Sequence, residues 1–465
     1  MKLKRLLALL ILFALLTASS AFTVSASDPP EGAQISDVYS SWAAWDVFMA
    51  ENIYGLGNEG TYSNFRGGFT EGKFLPVKKS LEDKFFANSA SWSAEGDFVT
   101  RGETILALYG IITDVLDLES AMSPIDYFIG SGLINGRASG DYQLDQRCTT
   151  EEMIAFSVRV YEHLSYRLDL DTKGLFWQIT GEGLPNTVYL LGTIHTGDAS
   201  IYPFSKLMLN AFDDSEYLGV EANVYTMSEE ELDYLIAGQM IQDGRTIKDF
   251  ISEETYELYK KLAESFGMTA EIYDYIKPWA AALGIQDAMT ADDAMSSALG
   301  MDMFFLAKAV NFEKNIVEIE SVKYQIDMFN SYSNELQEML LLSVIAPPSA
   351  EEGEEALSAE DMAELTRMFT AYLLEAVKTG DEAALTEILM AGRDYSDTIM
   401  AEYNTKLWDI RDAAMAETIE RYLADEDAEG DFFVAVGAGH TVGPTGIIET
   451  LKNKGYTVVF LGGVK

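Results

Sequence analysis

Val188-Tyr189-Leu190-Leu191-Gly192-Thr193-Ile194-His195 reads as an apolar strand that meets a glycine and, three residues on, delivers a histidine. Near the other end of the chain, Phe432-Phe433-Val434-Ala435-Val436-Gly437-Ala438-Gly439-His440 repeats the phrase. These strings decide the fold. A short apolar run ended by glycine and followed by helical sequence is α/β grammar, and a polar side chain placed just past a strand end arrives at the rim of a sheet, where clefts form. The chain has 3 histidines in 465 residues. Two of them in matching contexts predict one site built from both ends of a domain.

Outward from the first phrase, Leu175-Phe176-Trp177-Gln178-Ile179-Thr180 precedes it across Gly181-Glu182-Gly183-Leu184-Pro185-Asn186, a turn-rich connection that predicts a hairpin. Tyr217-Leu218-Gly219-Val220-Glu221 predicts a third short strand. Helical pattern dominates from about Ser228 to Leu342, with a short strand at Ile316-Val317-Glu318-Ile319. Pro347-Pro348 and the acidic run Glu351-Glu352-Gly353-Glu354-Glu355 then break it as a solvated loop. Helices resume from Ala359 to Asp425. The second phrase, a helix from about Pro444 to Lys454 and a strand from Tyr456 to Leu461 close the chain, with first and last strands expected in one sheet. The fold class is therefore α/β over residues 174–465: a central sheet flanked by many helices.

Upstream the grammar changes. Lys2, Lys4 and Arg5 precede an apolar run from Leu6 to Leu16, and Val24-Ser25-Ala26 supplies a small-residue cleavage site, so residues 1–26 read as a secretory signal peptide and 27–35 as a linker. That run is too short for a membrane span, and no later stretch reaches the roughly 18 apolar residues a span needs. The mature chain is expected outside the cell, with no transmembrane span. Cys148 is the only cysteine, which excludes an intrachain disulfide and leaves stability to the core. A formal charge of -43 argues against nucleic acid as a partner and otherwise describes a solubilising surface.

Residues 36–164 read as a small, mostly helical domain in which one unit is used twice. Ser41-Trp42-Ala43-Ala44-Trp45-Asp46-Val47, Gly55-Leu56-Gly57, a polar loop and Val99-Thr100-Arg101-Gly102-Glu103 form the first passage. Ile125-Asp126-Tyr127-Phe128, Gly132-Leu133-Ile134-Asn135-Gly136-Arg137 and Thr149-Thr150-Glu151-Glu152-Met153 form the second. Each ends in a threonine-capped helix with an early Glu. The first carries a long insert from Gly57 to Asp97, and the second has Thr149-Thr150 where the first has Thr100-Arg101. This grammar resembles S-layer homology repeats, and the resemblance implies binding of a cell-wall polymer; a packing domain is the alternative.

For chemistry, neutral imidazole is the commonest metal ligand and general base near neutral pH. His163, on a helix of the N-terminal region, reads as an ordinary packing or surface residue. Glu221 ends its strand, and Glu318 and Glu320 follow an apolar run in which period-2 alternation puts both on one face. Two histidines with one or two glutamates make a divalent-metal site with an open position, whereas strand-end carboxylates in solvent are the bland alternative. No H-E-x-x-H, G-x-S-x-G or Walker A motif is present. Gly55-Leu56-Gly57-Asn58-Glu59-Gly60 spells a dinucleotide fingerprint but follows a helical pattern, and the glycines after Val436 lack the acidic residue a ribose needs.

Tyr189-Leu190-Leu191-Gly192-Thr193-Ile194-His195-Thr196-Gly197-Asp198, continuing to Tyr202-Pro203-Phe204, resembles the opening motif of the TraB/GumN family, which includes pheromone-shutdown proteins and the TIKI metalloproteases. Val220-Glu221, Gly300-Met301-Asp302, Glu318-Ile319-Glu320-Ser321 with Gln325, Asn404 with Leu407-Trp408 and Arg411, and Gly437-Ala438-Gly439-His440 follow in order. The resemblance covers about residues 174–463 and departs from the bacterial pattern at Asp412, where Asn is commoner. It implies two related halves that each supply a G-x-x-H histidine to one cleft and, from the TIKI members, divalent-metal-dependent peptide hydrolysis. Carried over, His195, His440, Glu221 and Glu320 form the metal and catalytic set, with Arg411 and Asn404 as polar support. The ion would acidify a water, a spare Glu would take its proton and Arg411 would steady developing negative charge. The leader and the resemblance together imply a secreted or cell-wall-associated hydrolase with a divalent ion as cofactor and a peptide or small protein as substrate. The alternative is a binding protein that sequesters a peptide signal in the same cleft without chemistry.

Overall fold

The structure, a computed structural model, describes residues 38–118, 122–134, 141–290, 296–346 and 359–463. The signal peptide, the linker at 27–35 and the acidic run at 351–355 lie outside them. No helix among the described residues is long and apolar enough to cross a membrane. The chain divides into two compact units, with the boundary between Asp171 and Thr172.

The C-terminal unit is built on one six-stranded sheet: β1 (Leu175–Thr180), β2 (Val188–Thr193), β3 (Tyr217–Val220), β4 (Asn315–Glu318), β5 (Phe432–Gly437) and β6 (Thr457–Phe460), in the order β4-β3-β5-β2-β1-β6. The predicted β1–β2 hairpin forms, and β6 pairs antiparallel with β1, so first and last strands do share a sheet. The four strands on the other side, β2, β5, β3 and β4, run parallel. All of β5 is buried, which requires the unbroken apolar run of the second phrase, because strands covered on both faces have no polar side.

Alternation along β5 shows how the two faces are covered. Tyr422, on the helix Ile410–Ala424, stacks on Phe432 at 4.5 Å, whereas Phe433 meets Phe212 and Phe305 from the helices Lys206–Asp214 and Met301–Asn311 at 5.4 and 4.7 Å. Burying each such ring contributes roughly 1.5–3 kcal/mol. The crucial pairing is β2 with β5: Gly192 lies opposite Val436 and Thr193 opposite Gly437. The two phrases therefore run side by side and in the same direction, and their histidines leave the sheet at the same end.

Some sequence expectations shift. The strand expected through Glu320 stops at Glu318, so the alternation that would put Glu318 and Glu320 on one face does not extend that far. The helix expected from Pro444 begins at Ile447, after Gly446, and His440 sits in its own one-turn helix, Ala438–Thr441.

The N-terminal unit is helical, and two of its helices begin alike. Thr100 and Thr149 each form a capping box with a glutamate three residues on, Glu103 and Glu152. Arg101 N donates to Gln146 O and Gly102 N to Leu144 O; correspondingly, Thr150 N donates to Gly67 O and Glu151 N to Phe65 O. Each capped helix thus takes its entry contacts from the other half. The insert from Gly57 to Asp97, read as a polar loop, contains the helix Glu71–Lys84, whose Phe74, Val77 and Leu81 are buried. His163 accepts or donates a hydrogen bond with Tyr127 Oη at 2.9 Å and packs edge-on to its ring, a packing role.

Candidate functional site

The site forms where β2, β3 and β5 end together. A Cβ placed on Gly437 would lie 3.2 Å from Glu221 Oε1, 3.4 Å from His195 Nε2 and 3.6 Å from His440 Cδ2. Both histidines and Glu221 therefore converge on one point, kept open because residue 437 has no side chain. Glu221 Oε1 accepts from Gly437 N at 2.6 Å and stands 4.0 Å from His440 Nε2.

Each imidazole is held from behind by an aspartate. His440 Nδ1 meets Asp412 Oδ1 at 2.6 Å, and His195 Nδ1 lies 2.9 Å from Asp302 Oδ2, an ion-pair contact that is off the line of a good hydrogen bond. With Nδ1 facing a carboxylate, each ring has Nε2 left for the common point. Glu221 and Glu320 are kept parallel by Glu320 N donating to Glu221 O at 3.0 Å, which continues the β3–β4 pairing beyond the strands. Arg411 closes the arrangement. Its Nε donates to Glu320 Oε1 at 2.9 Å, and its Nη2 to Glu221 Oε2 at 2.6 Å and Glu320 Oε2 at 2.8 Å. Gln325 Nε2 donates to both carboxylates, at 3.0 Å for Glu320 and 3.3 Å for Glu221.

Electrostatics separates the two histidines. Burial pushes His195 down, yet Asp302, aided by Glu221, overcomes it and holds the ring up at about 9. Burial and the Arg411 charge push His440 well below the usual histidine range. Burial raises Glu221, but Arg411 and the two histidines outweigh it and keep the carboxyl below the usual range. The Asp412 carboxyl is raised by its burial, against the pull of Arg393 and Arg411.

The structure brings together His195, His440 and Glu221, and gives the other expected residues different surroundings. Both oxygens of Glu320 are engaged by Arg411, one also by Gln325, so Glu320 is not a spare base. Arg411 has Nε and Nη2 committed to glutamates rather than free for an anion. Asn404 Nδ2 donates to Asp394 O at 3.0 Å, fixing a loop. Glu318 accepts from Asn223 N at 2.6 Å, apart from this cluster. Sequence reasoning gave no role to Asp302 and read Asp412 only as a departure from pattern. The available signal was an acid inside an apolar helix face: Met301, Phe304 and Phe305 around Asp302, and Met415, Ala416 and Ile419 after Asp412, all buried.

Among the described residues, no group of three or more His, Cys, Asp or Glu side chains is already arranged as a metal cluster. In kind, the donors suit a divalent ion: two buried imidazoles oriented by carboxylates, and a carboxylate between them.

The chain is 24% identical over 288 residues to an uncharacterized protein of Treponema pallidum (strain Nichols), an alignment covering 60% of this chain and 80% of that one. No solved structure matches. Residues 175–459, which carry the sheet, both histidine phrases and the glutamates between them, match the model of the TraB/PrgY/gumN family, and the chain belongs to that family.

Proposed function

We propose that this protein is a secreted, envelope-associated divalent-metal-dependent hydrolase that acts on peptides. The observation that carries the reading is the pair of aspartate-backed imidazoles whose Nε2 side faces one open point beside Glu221. Metal-ligating histidines characteristically donate their other ring nitrogen to a carboxylate, which fixes tautomer and orientation. His195, His440 and Glu221 would hold the ion. When bound, such an ion supplies Lewis acidity toward a carbonyl and generates a water-derived nucleophile near neutral pH. The chain's own residues do the rest. Asp302 and Asp412 orient the rings, Arg411 keeps Glu221 ionised, and Glu320 with Gln325 fixes Arg411. The peptide class rests on the likeness to the TIKI members, and the extracellular location on the leader-like N-terminus.

Metal analysis and peptide turnover of wild type, His195→Ala and His440→Ala test the reading. Loss of both metal and turnover in the variants is expected; equal metal content and turnover in all three would sink it. A second reading, a peptide-binding protein without chemistry, is favoured by the lack of a ready-made metal cluster among the described residues. It predicts saturable peptide binding indifferent to chelators, with the peptide recovered intact. For the N-terminal unit, the duplicated capping geometry supports a repeat that docks on a cell-wall polymer, and co-sedimentation of the full chain with purified wall polymer tests that.

A further inference from the structure

The two histidines differ in what stands behind their aspartates. Behind His440 lies Arg393, in the segment between the helices Glu382–Ala391 and Thr398–Asn404, away from every motif that marks the family resemblance. Its side chain is 2% exposed. Nη2 donates to Gly439 O at 2.7 Å, and Nη1 stands 3.9 Å from Asp412 Oδ2. The guanidinium lies over the Trp408 ring at 4.7 Å, and the same ring neighbours the His440 imidazole, with centroids 4.9 Å apart. Trp408 also fills the space beside Gly439, where a Cβ would meet the indole at 2.5 Å. Trp408 belongs to a π-helical turn, Thr405–Asp409, inserted just before Arg411 and Asp412. Such turns reset the angular phase of the residues that follow and recur at functional sites.

We propose that Arg393 is a positioning residue for His440, acting through three contacts: the Gly439 carbonyl, the Asp412 carboxylate and the Trp408 plate. The Nη2 bond fixes the backbone one residue before the histidine. Asp412 Oδ2 has no hydrogen-bond partner of its own and faces the Arg393 charge, so its Oδ1 stays aimed at Nδ1. The indole, tilted at 53° against the imidazole, limits rotation of the ring about its Cβ–Cγ bond. Nε and Nη1 of Arg393 make no hydrogen bond and are buried, an arrangement that is costly unless the charge itself serves a neighbour. No equivalent backing is found for His195, whose aspartate lies on a helix without a guanidinium in contact among the described residues.

The inference rests on the hydrolase reading for its functional meaning, but its test does not. With 3 histidines in the chain, the imidazole nitrogens of the full-length, 15N-histidine-labelled, metal-free protein can be assigned individually by long-range nitrogen–proton correlation spectra. In wild type, His440 is expected as a single tautomer, fixed by its Nδ1 contact with Asp412. In Arg393→Met the His440 nitrogen signals converge toward a tautomer mixture while those of His195 and His163 stay in place. Arg393→Lys, which keeps the charge but not the guanidinium fork, recovers part of the separation. Zn(II) titration of the same proteins should show affinity falling by about tenfold or more in Arg393→Met, in the range found for groups that orient metal ligands. If His440 signals are unchanged in Arg393→Met, the proposal is overturned. Should that variant unfold and move all three histidines, Trp408→Leu decides: convergence of the two His440 nitrogen signals alone supports the clamp, and an unchanged separation between them removes it. If wild type binds none of Zn(II), Mn(II) and Co(II), the hydrolase reading fails, and the imidazole spectra still judge Arg393.

Discussion

The two glycine-x-x-histidine phrases are alike as sequence and unlike as structure. After Gly192 the chain continues β2 by one residue and then leaves it, and His195 meets an aspartate on the helix Met301–Asn311. After Gly437 the chain turns at once into the one-turn helix Ala438–Thr441, and His440 meets an aspartate that follows a π-helical turn. The first ring is held in a field that favours its charged form; the second sits where burial and two arginines disfavour it. A repeated motif therefore specifies a place on the sheet rim, and the helices arriving from elsewhere specify the chemistry at that place. The difference suits a site that needs one firmly neutral donor and one histidine that keeps its proton until a ligand displaces it.

The largest expected effect removes what the two phrases share. Arg411→Met leaves Glu221 and Glu320 buried without their cation, and breaking such a pair costs about 3–5 kcal/mol. Urea unfolding should show that loss, and a change no larger than the about 1 kcal/mol typical of exposed pairs would mean that the arginine does not hold the site together.

Next comes the test of unequal support. Asp412→Asn and Asp302→Asn should each weaken Zn(II) binding by about 10- to 100-fold, as is usual for carboxylates behind ligating histidines. The effect should be larger for Asp412, which is 0% exposed and makes the shorter contact. Equal losses in competition titrations with a chromophoric chelator would erase the distinction. Gly439→Ala addresses the packing of the second phrase: a Cβ 2.5 Å from the Trp408 ring forces repacking, at about 1–3 kcal/mol in chemical denaturation.

The last test, read as a profile rather than as a single loss, is the dependence of stability on pH in the metal-free protein. His195 is raised to about 9 from the ordinary histidine value of 6.5, so its contribution is full below pH 6.5 and is lost as pH rises through 9. His440 is lowered, so its neutral form contributes above pH 6.5 and stability falls as pH drops below that value. Thermal melts should therefore decline on both sides of about pH 6.5. His195→Asn should flatten the alkaline limb and His440→Asn the acid one; two variants with identical profiles would contradict the electrostatic contrast.

Much of this was legible along the chain. Alternating and continuous apolar runs located β1, β2, β3, β5 and β6 because burial on a sheet leaves a period in the sequence. Glycine followed by histidine marked the rim, and Glu221 and Glu320 stood out as acids at the ends of apolar strands. The limits were equally physical. Glu320 was read as a ligand or base because nothing local says that Arg411 takes both its oxygens. Asp302 and Asp412 went without a role since a helix records which face is buried but not which neighbour from a distant segment meets it. Arg393, between two helices and flanked by Gly392 and Asp394, carries no periodic signal at all.

The sequence by itself thus determined the strands, the sheet-edge histidines and the family, all of which depend on interactions within a few residues. Only the tertiary structure decided that β2 and β5 are parallel neighbours in the register that sets Thr193 against Gly437. It likewise assigned one aspartate to each imidazole and turned Arg411 inward between two glutamates. Those outcomes depend on which segments share a buried volume, where an unpaired charge is costly, and that selection is made by the packing of the whole domain.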